Sequence, residues 1–473
     1  MIGKKQELCP KLYYHTVNLE ERVPADHPLR RIKNEVAFDF VRDRVAGLYG
    51  KSGNESVDPI VLLKLYFLLF YENVASERAL MAQLPLRLDW LWFCGYDLDS
   101  DIPDHSVLSK ARRRWGREAF AEFFERILGQ CLEAGLVDGK TVHVDSSMID
   151  ADAGKDRLRT FLRLTGSSVY QQLETATEPV PGGSRIDSAS PDEVEKVPAP
   201  RPGQALTPVD SDARLGRKYG QSTLGYKDHR TVDDRCGIVT ATITTSANVP
   251  DDKLLFEALE AHEHHTQIEV KTVVADAIYG TMDNYRQLCD QGKTCCIPHQ
   301  RHGVRANDTV SHDKFHYDAQ GDGYLCPNGQ TLKRYDHDVR SDGTIRYRAD
   351  RAVCERCPYF GDCVKSKTHG RQILRNIHTS YVEWADTVCS PTRRRYLLTR
   401  RRIRAEGSFA DAANNHGFKR ARWRGLLKME IQNLLIAAIQ NLRKLLRYRG
   451  RHPQKVACGA CVGDFSLFCF FAR

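Results

Sequence analysis

Hydrophobic positions recur at helical spacing along the first 137 residues. Residues 60–71 are almost continuously apolar, and Asp58 and Pro59 ahead of them supply a capping side chain and a first-turn proline. This run predicts a buried helix. Further helices are expected from near Ser76 and from near Asp104, the latter bearing Lys110, Arg112, Arg113 and Arg114. Ala119, Phe120, Phe123, Phe124, Ile127, Leu128 and Cys131 then repeat every 3.6 residues and stop at Gly135. An all-helical N-terminal domain over residues 1–137 follows.

After Gly139 the period changes. Thr141-Val-His-Val-Asp145, Gly237-Ile-Val-Thr-Ala-Thr-Ile-Thr-Thr and Val270-Lys-Thr-Val-Val-Ala-Asp276 read as strands, with a helix from about Asp251 to His265 before the third. Alternating strands and helices predict an α/β core over residues 138–299. Residues 155–215, richest in Pro, Ser and Gly from about 175 to 210, read as a flexible insertion. Residues 300–391 are irregular, contain five cysteines, and read as a separate insertion. Helix is expected again over residues 392–448, with Leu427, Ile431, Leu434, Leu435, Ala438, Leu442 and Leu445 on one face. The tail, residues 449–473, contains Cys458 and Cys461 and suggests no role.

Composition narrows the class. With 41% hydrophobic and 28% charged residues the chain reads as soluble and globular. The apolar run is interrupted by Lys64 and falls short of the roughly 20 residues a membrane helix needs. No secretion signal opens the sequence, so a cytoplasmic protein without a membrane partner is expected. Fifteen cysteines, an odd number, fit reduced thiols in that setting. Charge is concentrated: residues 393–424 hold ten Arg and one Lys against Glu406 and Asp411, a surplus equal to the +9 of the whole chain. So local a positive field points to a polyanion, with a nucleic acid the natural partner. The helical N-terminal domain then reads as DNA-binding.

Asp145 and Asp276 each directly follow a hydrophobic strand, where a carboxylate is costly unless a positive group compensates it. A divalent cation with hard oxygen ligands does so, and paired ions can activate a nucleophile and stabilise a leaving oxygen. Glu406 lies inside Arg400-Arg-Arg-Ile-Arg-Ala-Glu406, where an ordinary helical pairing with Arg402 is the alternative to metal binding.

His143-Val-Asp145-Ser-Ser, Leu224-Gly-Tyr-Lys227, Ala275-Asp276-Ala-Ile-Tyr-Gly280, Arg402-Ile-Arg-Ala-Glu406-Gly and Asn415-His-Gly-Phe-Lys-Arg420 together resemble the DDE transposases of bacterial insertion sequences. The resemblance covers roughly residues 10–447 without the variable insertion. It implies a ribonuclease-H-like core with Asp145 on the first strand, Asp276 on the fourth and Glu406 on a later helix. By resemblance these three hold catalytic Mg²⁺ or Mn²⁺. Also implied are cleavage at transposon terminal repeats, transfer of the freed 3′-hydroxyl to target DNA, and a homo-oligomer on DNA. Arg402, Lys419, Arg420, Arg422, Arg424 and Lys227 are the expected DNA contacts. Thr399 and Ala413 stand where relatives place Tyr and Lys around the third acid. A nuclease without joining activity and an inactive DNA-binding protein are the alternatives.

Other candidates are weaker. Asp150 and Asp152 are expected beyond the first strand, and His143 shares a face with Asp145 as either a supporting or a core histidine. His262, His264 and His265 lack zinc-protease spacing and are expected at the surface. Cys326, Cys354, Cys357 and Cys363 are either a structural zinc site or ordinary thiols; Cys354 and Cys357 have the knuckle spacing, but Cys326 has no close cysteine partner.

Overall fold

In the computed structural model, residues 18–452 are described apart from 51–54, 161–195, 201–203, 219, 300–309, 311–313 and 341–342. Most of the expected flexible insertion, and the tail with Cys458 and Cys461, lie outside the described residues.

Helical periodicity becomes an aromatic core in the N-terminal body. Its helices are α1 (Leu19–Arg22), α2 (Pro28–Glu35), α3 (Phe40–Val45), α4 (Pro59–Tyr71), α5 (Glu77–Gln83), α6 (Leu88–Cys94), α7 (Ser106–Trp115) and α8 (Glu118–Glu133). Asp58 caps α4 by accepting from the Ile60 amide, and Ser76 caps α5. Eight of the thirteen α4 residues are buried. Phe38 packs edge-on against Phe67 and Phe93 and stacks on Phe123. Burying each such ring contributes roughly 1.5–3 kcal/mol. On α7 the basic residues divide: Lys110, Arg113 and Arg114 are exposed, while Arg112 is buried, paired with Glu77 and set over the Trp423 ring.

The main sheet contains β1 (Thr141–Asp150), β4 (Arg214–Lys218), β5 (Gln221–Asp233), β6 (Val239–Ser246), β7 (Thr272–Val274) and β8 (Thr294–Cys296). Between β1 and β4, the short pair β2 (Arg159–Thr160) and β3 (Ala205–Leu206) joins the two ends of the insertion. Strand order is β4-β5-β1-β7-β8, with β6 also on β5. β5 is antiparallel to β1, β4 and β6, whereas β7 runs parallel to β1 and β8 parallel to β7. On one face lie α9 (Leu255–Thr266) and α10 (Met282–Asp290), whose apolar residues form a core with Val142, Val144 and Val273. The other face meets the long C-terminal helix, which packs in turn on α8, so that the helical body and the sheet share one core.

A second sheet holds β9 (His316–Asp318), β10 (Gly323–Leu325), β11 (Thr331–Arg334), β12 (Thr344–Arg348) and β13 (Gln372–Asn376) in simple antiparallel succession. Two short helices, α11 (Arg351–Glu355) and α12 (Phe360–Cys363), accompany it, whereas α13 (Thr379–Thr387) packs on α10 and the core of the main sheet. The expected continuous C-terminal helix is in fact α14 (Pro391–Arg401), a π turn (Arg402–Glu406), α15 (Gly407–His416) and α16 (Leu426–Arg451). Gly417 and Gly425, both at positive φ, bound the break between α15 and α16.

Several expectations need correction. β1 extends through Asp150, so Asp150 ends the strand rather than following it. Its amide and carbonyl pair with Lys419 and Ala421, which binds the segment after α15 to the sheet. Leu427 is 49% exposed, while Gln432, Asn433, Gln440 and Asn441 on α16 are buried. The helix core is thus wider than its apolar stripe, because these amides bond inward: Asn441 to both backbone groups of Val239, Asn433 to Thr244. His262 is fully buried between Thr240 Oγ1 (2.6 Å) and the Gly139 carbonyl (3.0 Å), and burial lowers its pKa to about 4. His265 is half-buried on the Thr240 carbonyl; of the three histidines His264 is exposed.

Candidate active site

Strand register brings the first two acids level. β1 and β7 pair Thr141 with Thr272, Val142 with Val273 and His143 with Val274. Two residues further along each chain stand Asp145 and Asp276, just past the last hydrogen-bonded pair. Asp276 begins a short turn and accepts from the Ile278 amide. Asp145 is 7% exposed and accepts from the Ser146 amide. Glu406 reaches the same place from the π turn with half its side chain exposed. The three acids, with Ser147, Arg401 and Lys419, line one open cleft of about 400 Å³.

Arg401 stands between two of the carboxylates. Its Nη1 donates to Asp145 Oδ2 at 3.0 Å and its Nη2 to Glu406 Oε1 at 2.8 Å. Lys419 contributes a second cation and donates to Ser147 Oγ at 2.7 Å. Among the described residues, no three His, Cys, Asp or Glu side chains already share a point where a metal would sit. The donors nonetheless fit a hard divalent cation: they are carboxylate oxygens, and a guanidinium already serves two of them as countercharge.

Buried polar groups support the cleft from behind. Ser146 donates to Asp251 Oδ2 (2.6 Å), and the Lys227 ammonium binds Asp251 Oδ1 (2.7 Å) and the Val249 carbonyl (2.6 Å). Burial opposes ionisation of Asp251, but the charges of His229 and Lys227 and these hydrogen bonds hold its pKa below the ordinary carboxylate value. Beside them the buried Tyr279 hydroxyl is driven upward, first by burial and then by Asp251, Asp145 and Asp276. It stays neutral. His143, fully buried, pairs with Asp234 at 2.8 Å, and Asp234 in turn holds Arg400, which fastens α14 to β1. Burial, ahead of the opposing pull of Asp234, lowers the His143 pKa.

A fully buried pair fixes the element that carries Glu406. Arg230, opposite Asp145 on β5, bonds Asp228 at 2.7 Å, Ser408 Oγ at 2.9 Å and Gln440 at 2.8 Å. Its guanidinium also lies over the rings of Phe409 and Phe418. Sequence reasoning missed Arg230, Asp251 and Arg401. The unbroken run of four ionisable residues, Lys227-Asp-His-Arg230, was a usable signal, since β5 lies inside the sheet.

The expected DNA contacts divide. Lys419 faces the cleft; Arg402 is exposed; Arg420 and Arg424 are exposed near Asp152. Lys227 and Arg422 are turned inward. Arg422 bonds the Leu69 and His416 carbonyls and Asn73, and burial lowers its pKa to about 10. Both are structural in this fold. Cys326, Cys354, Cys357 and Cys363 line a small cavity of about 30 Å³ with apolar neighbours such as Phe315 and Leu332.

The fold and the cleft define a mixed α/β protein with a helical N-terminal body and clustered acids beside basic groups. A transposase domain model matches residues 17–114, and a transposase DDE domain model matches residues 325–446. Over these two segments, together less than half of its length, the chain is similar to transposases; DDE transposases generally use a divalent metal, typically Mg²⁺. Glu406 and the cysteines lie within the second match, and Asp145 and Asp276 lie between the two. No curated protein matches the chain. A solved structure of piggyBac transposase in a synaptic complex with hairpin DNA aligns over 89% of this chain and 80% of that one. Its 10% identity and TM-score of 0.24 are too weak a likeness to bear on fold or site.

Proposed function

We propose that this DNA transposase binds terminal repeats and catalyses cleavage and strand transfer at the cleft of Asp145, Asp276 and Glu406. The observation that carries the reading is the meeting of these three acids, remote in sequence, in one cleft with Lys419 and Arg401. Strand order and direction support a ribonuclease-H-like core, with β1, β5, β6, β7 and β8 as its five strands. Asp145, Asp276 and Glu406 would hold Mg²⁺ or Mn²⁺. When bound, that metal would make water a stronger nucleophile and stabilise the leaving oxygen.

The chain's own groups do the rest. Lys419 neutralises phosphate in the cleft, while Arg402, Arg420 and Arg424 hold the DNA backbone outside it. Cleavage frees a 3′-hydroxyl, which the same cleft presents to target DNA. Pairing two ends calls for a homo-oligomer on DNA, and the site of action is the cytoplasm. Among the described residues, no helix is long and apolar enough to cross a membrane. The four cysteines are either a structural zinc site, which would organise the small sheet and take no part in chemistry, or ordinary thiols; among the described residues they are not gathered around a metal position.

Terminal-repeat duplexes with Mg²⁺ test the site. Asp276→Ala is expected to lose cleavage by at least about a hundredfold, the scale of removing one group that stabilises transition-state charge. Undiminished cleavage would refute the assignment. Precut ends should yield joined products; hydrolysis without joining would make the protein a nuclease.

A further inference from the structure

Arg401 lies where regular helix geometry would not put it. In an α-helix, residues five apart point about 140° away from each other. Here the Gly407 amide bonds back to the Arg402 carbonyl, an i to i+5 closure that widens the turn. Arg401 and Glu406 thereby come onto one side, and the Arg401 side chain is 13% exposed. Arg402, the arginine that α-helical spacing would pair with Glu406, is exposed instead. Each end of the Arg401 fork takes a different acid: Asp145 Oδ2 at 3.0 Å and Glu406 Oε1 at 2.8 Å.

Asp145 is nearly buried, so its charge needs a partner whenever no metal is bound. A divalent cation needs oxygens of these same carboxylates. Resting on the reading of the cleft as a metal site, we propose that Arg401 is its resting countercation, which a divalent ion must displace to bind. The π turn is the device that delivers it. The guanidinium keeps the acids together in the absence of metal and weakens metal affinity by competing for their oxygens. A planar fork suits this position better than an ammonium, which is a point charge and cannot bridge two acids in the same way.

Mn²⁺ binding to the full chain without DNA, followed by loss of the free-ion electron paramagnetic resonance signal, tests the proposal independently of activity. Arg401→Ala is expected to tighten Mn²⁺ binding on the order of tenfold, a difference of about 1.4 kcal/mol. Arg401→Lys should fall between it and the parent. Arg402→Ala removes equal charge one residue away without removing the bridge, and should stay within about twofold. Asp145→Asn should abolish binding.

Unchanged affinity in Arg401→Ala with binding still lost in Asp145→Asn would overturn the countercation and leave the site standing. Equal tightening in Arg402→Ala would also overturn it, reducing the effect to general charge. Undiminished binding in Asp145→Asn would overturn the site itself. Circular dichroism and melting check the fold; should Arg401→Ala not fold, unchanged affinity in a folded Arg401→Lys overturns the proposal.

Discussion

The carboxylate cleft draws its acids from the middle of β1, the turn after β7 and the π turn before α15, whereas the cysteine cavity takes all four thiols from residues 326–363. The cleft is open and already contains cations. The cavity is small and largely apolar, and burial, followed by its thiol neighbours, pushes Cys363 upward against the pull of Arg371. A site assembled from remote elements needs buried polar scaffolding to hold it; one assembled locally needs only short turns and a few apolar contacts. The Asp228–Arg230 pair and the Ser146–Asp251–Lys227 set are that scaffolding. Disturbing it should harm the cleft and spare the cavity.

The largest stability effect is expected at Arg230. Arg230→Met leaves Asp228 buried without its partner and should cost roughly 3–5 kcal/mol in urea unfolding. Adding Asp228→Leu should recover much of that loss, because the unpaired charge is then gone. A single Arg230→Met costing under about 1 kcal/mol would break the contrast between the two sites.

A somewhat smaller effect depends on pH. Burial lowers the His262 imidazole from 6.5 to about 4, so between those values the unfolded chain binds more protons than the folded one. The resulting stability is complete above about 6.5 and is lost as pH falls toward 4, on the order of 3 kcal/mol. The stability advantage of the parent over His262→Asn should therefore shrink by about that amount between pH 7 and pH 4. A pH-independent difference would show that His262 does not titrate with unfolding.

The smallest effect on activity belongs to the cavity. On the zinc reading of the cysteines, Cys354→Ser with Cys357→Ser should remove one zinc per chain by elemental analysis and lower the melting temperature. DNA cleavage should change by less than about tenfold, since the thiols lie outside the cleft. A parent chain purified without zinc, with all four thiols reactive, would return them to ordinary reduced cysteines.

The sequence by itself determined the elements with a strong period or cap. α4 behind Asp58-Pro59, α8 with its seven buried positions, and β1 with Asp145 could be read because side-chain spacing and capping act over a few residues. The family motifs also singled out three acids that the fold does gather in one cleft. Only the tertiary structure decided which cations face them. Arg401 replaces Arg402 because one wider turn rotates the helix face, and no local rule marks where such a turn falls. Lys227 and His262 are buried, and Arg422 is turned inward, because distant strands and helices close over them, and the sequence around each reads as surface. Charge surplus marked residues 393–424 as basic; packing alone sorted its arginines into those that hold the fold and those left at the surface.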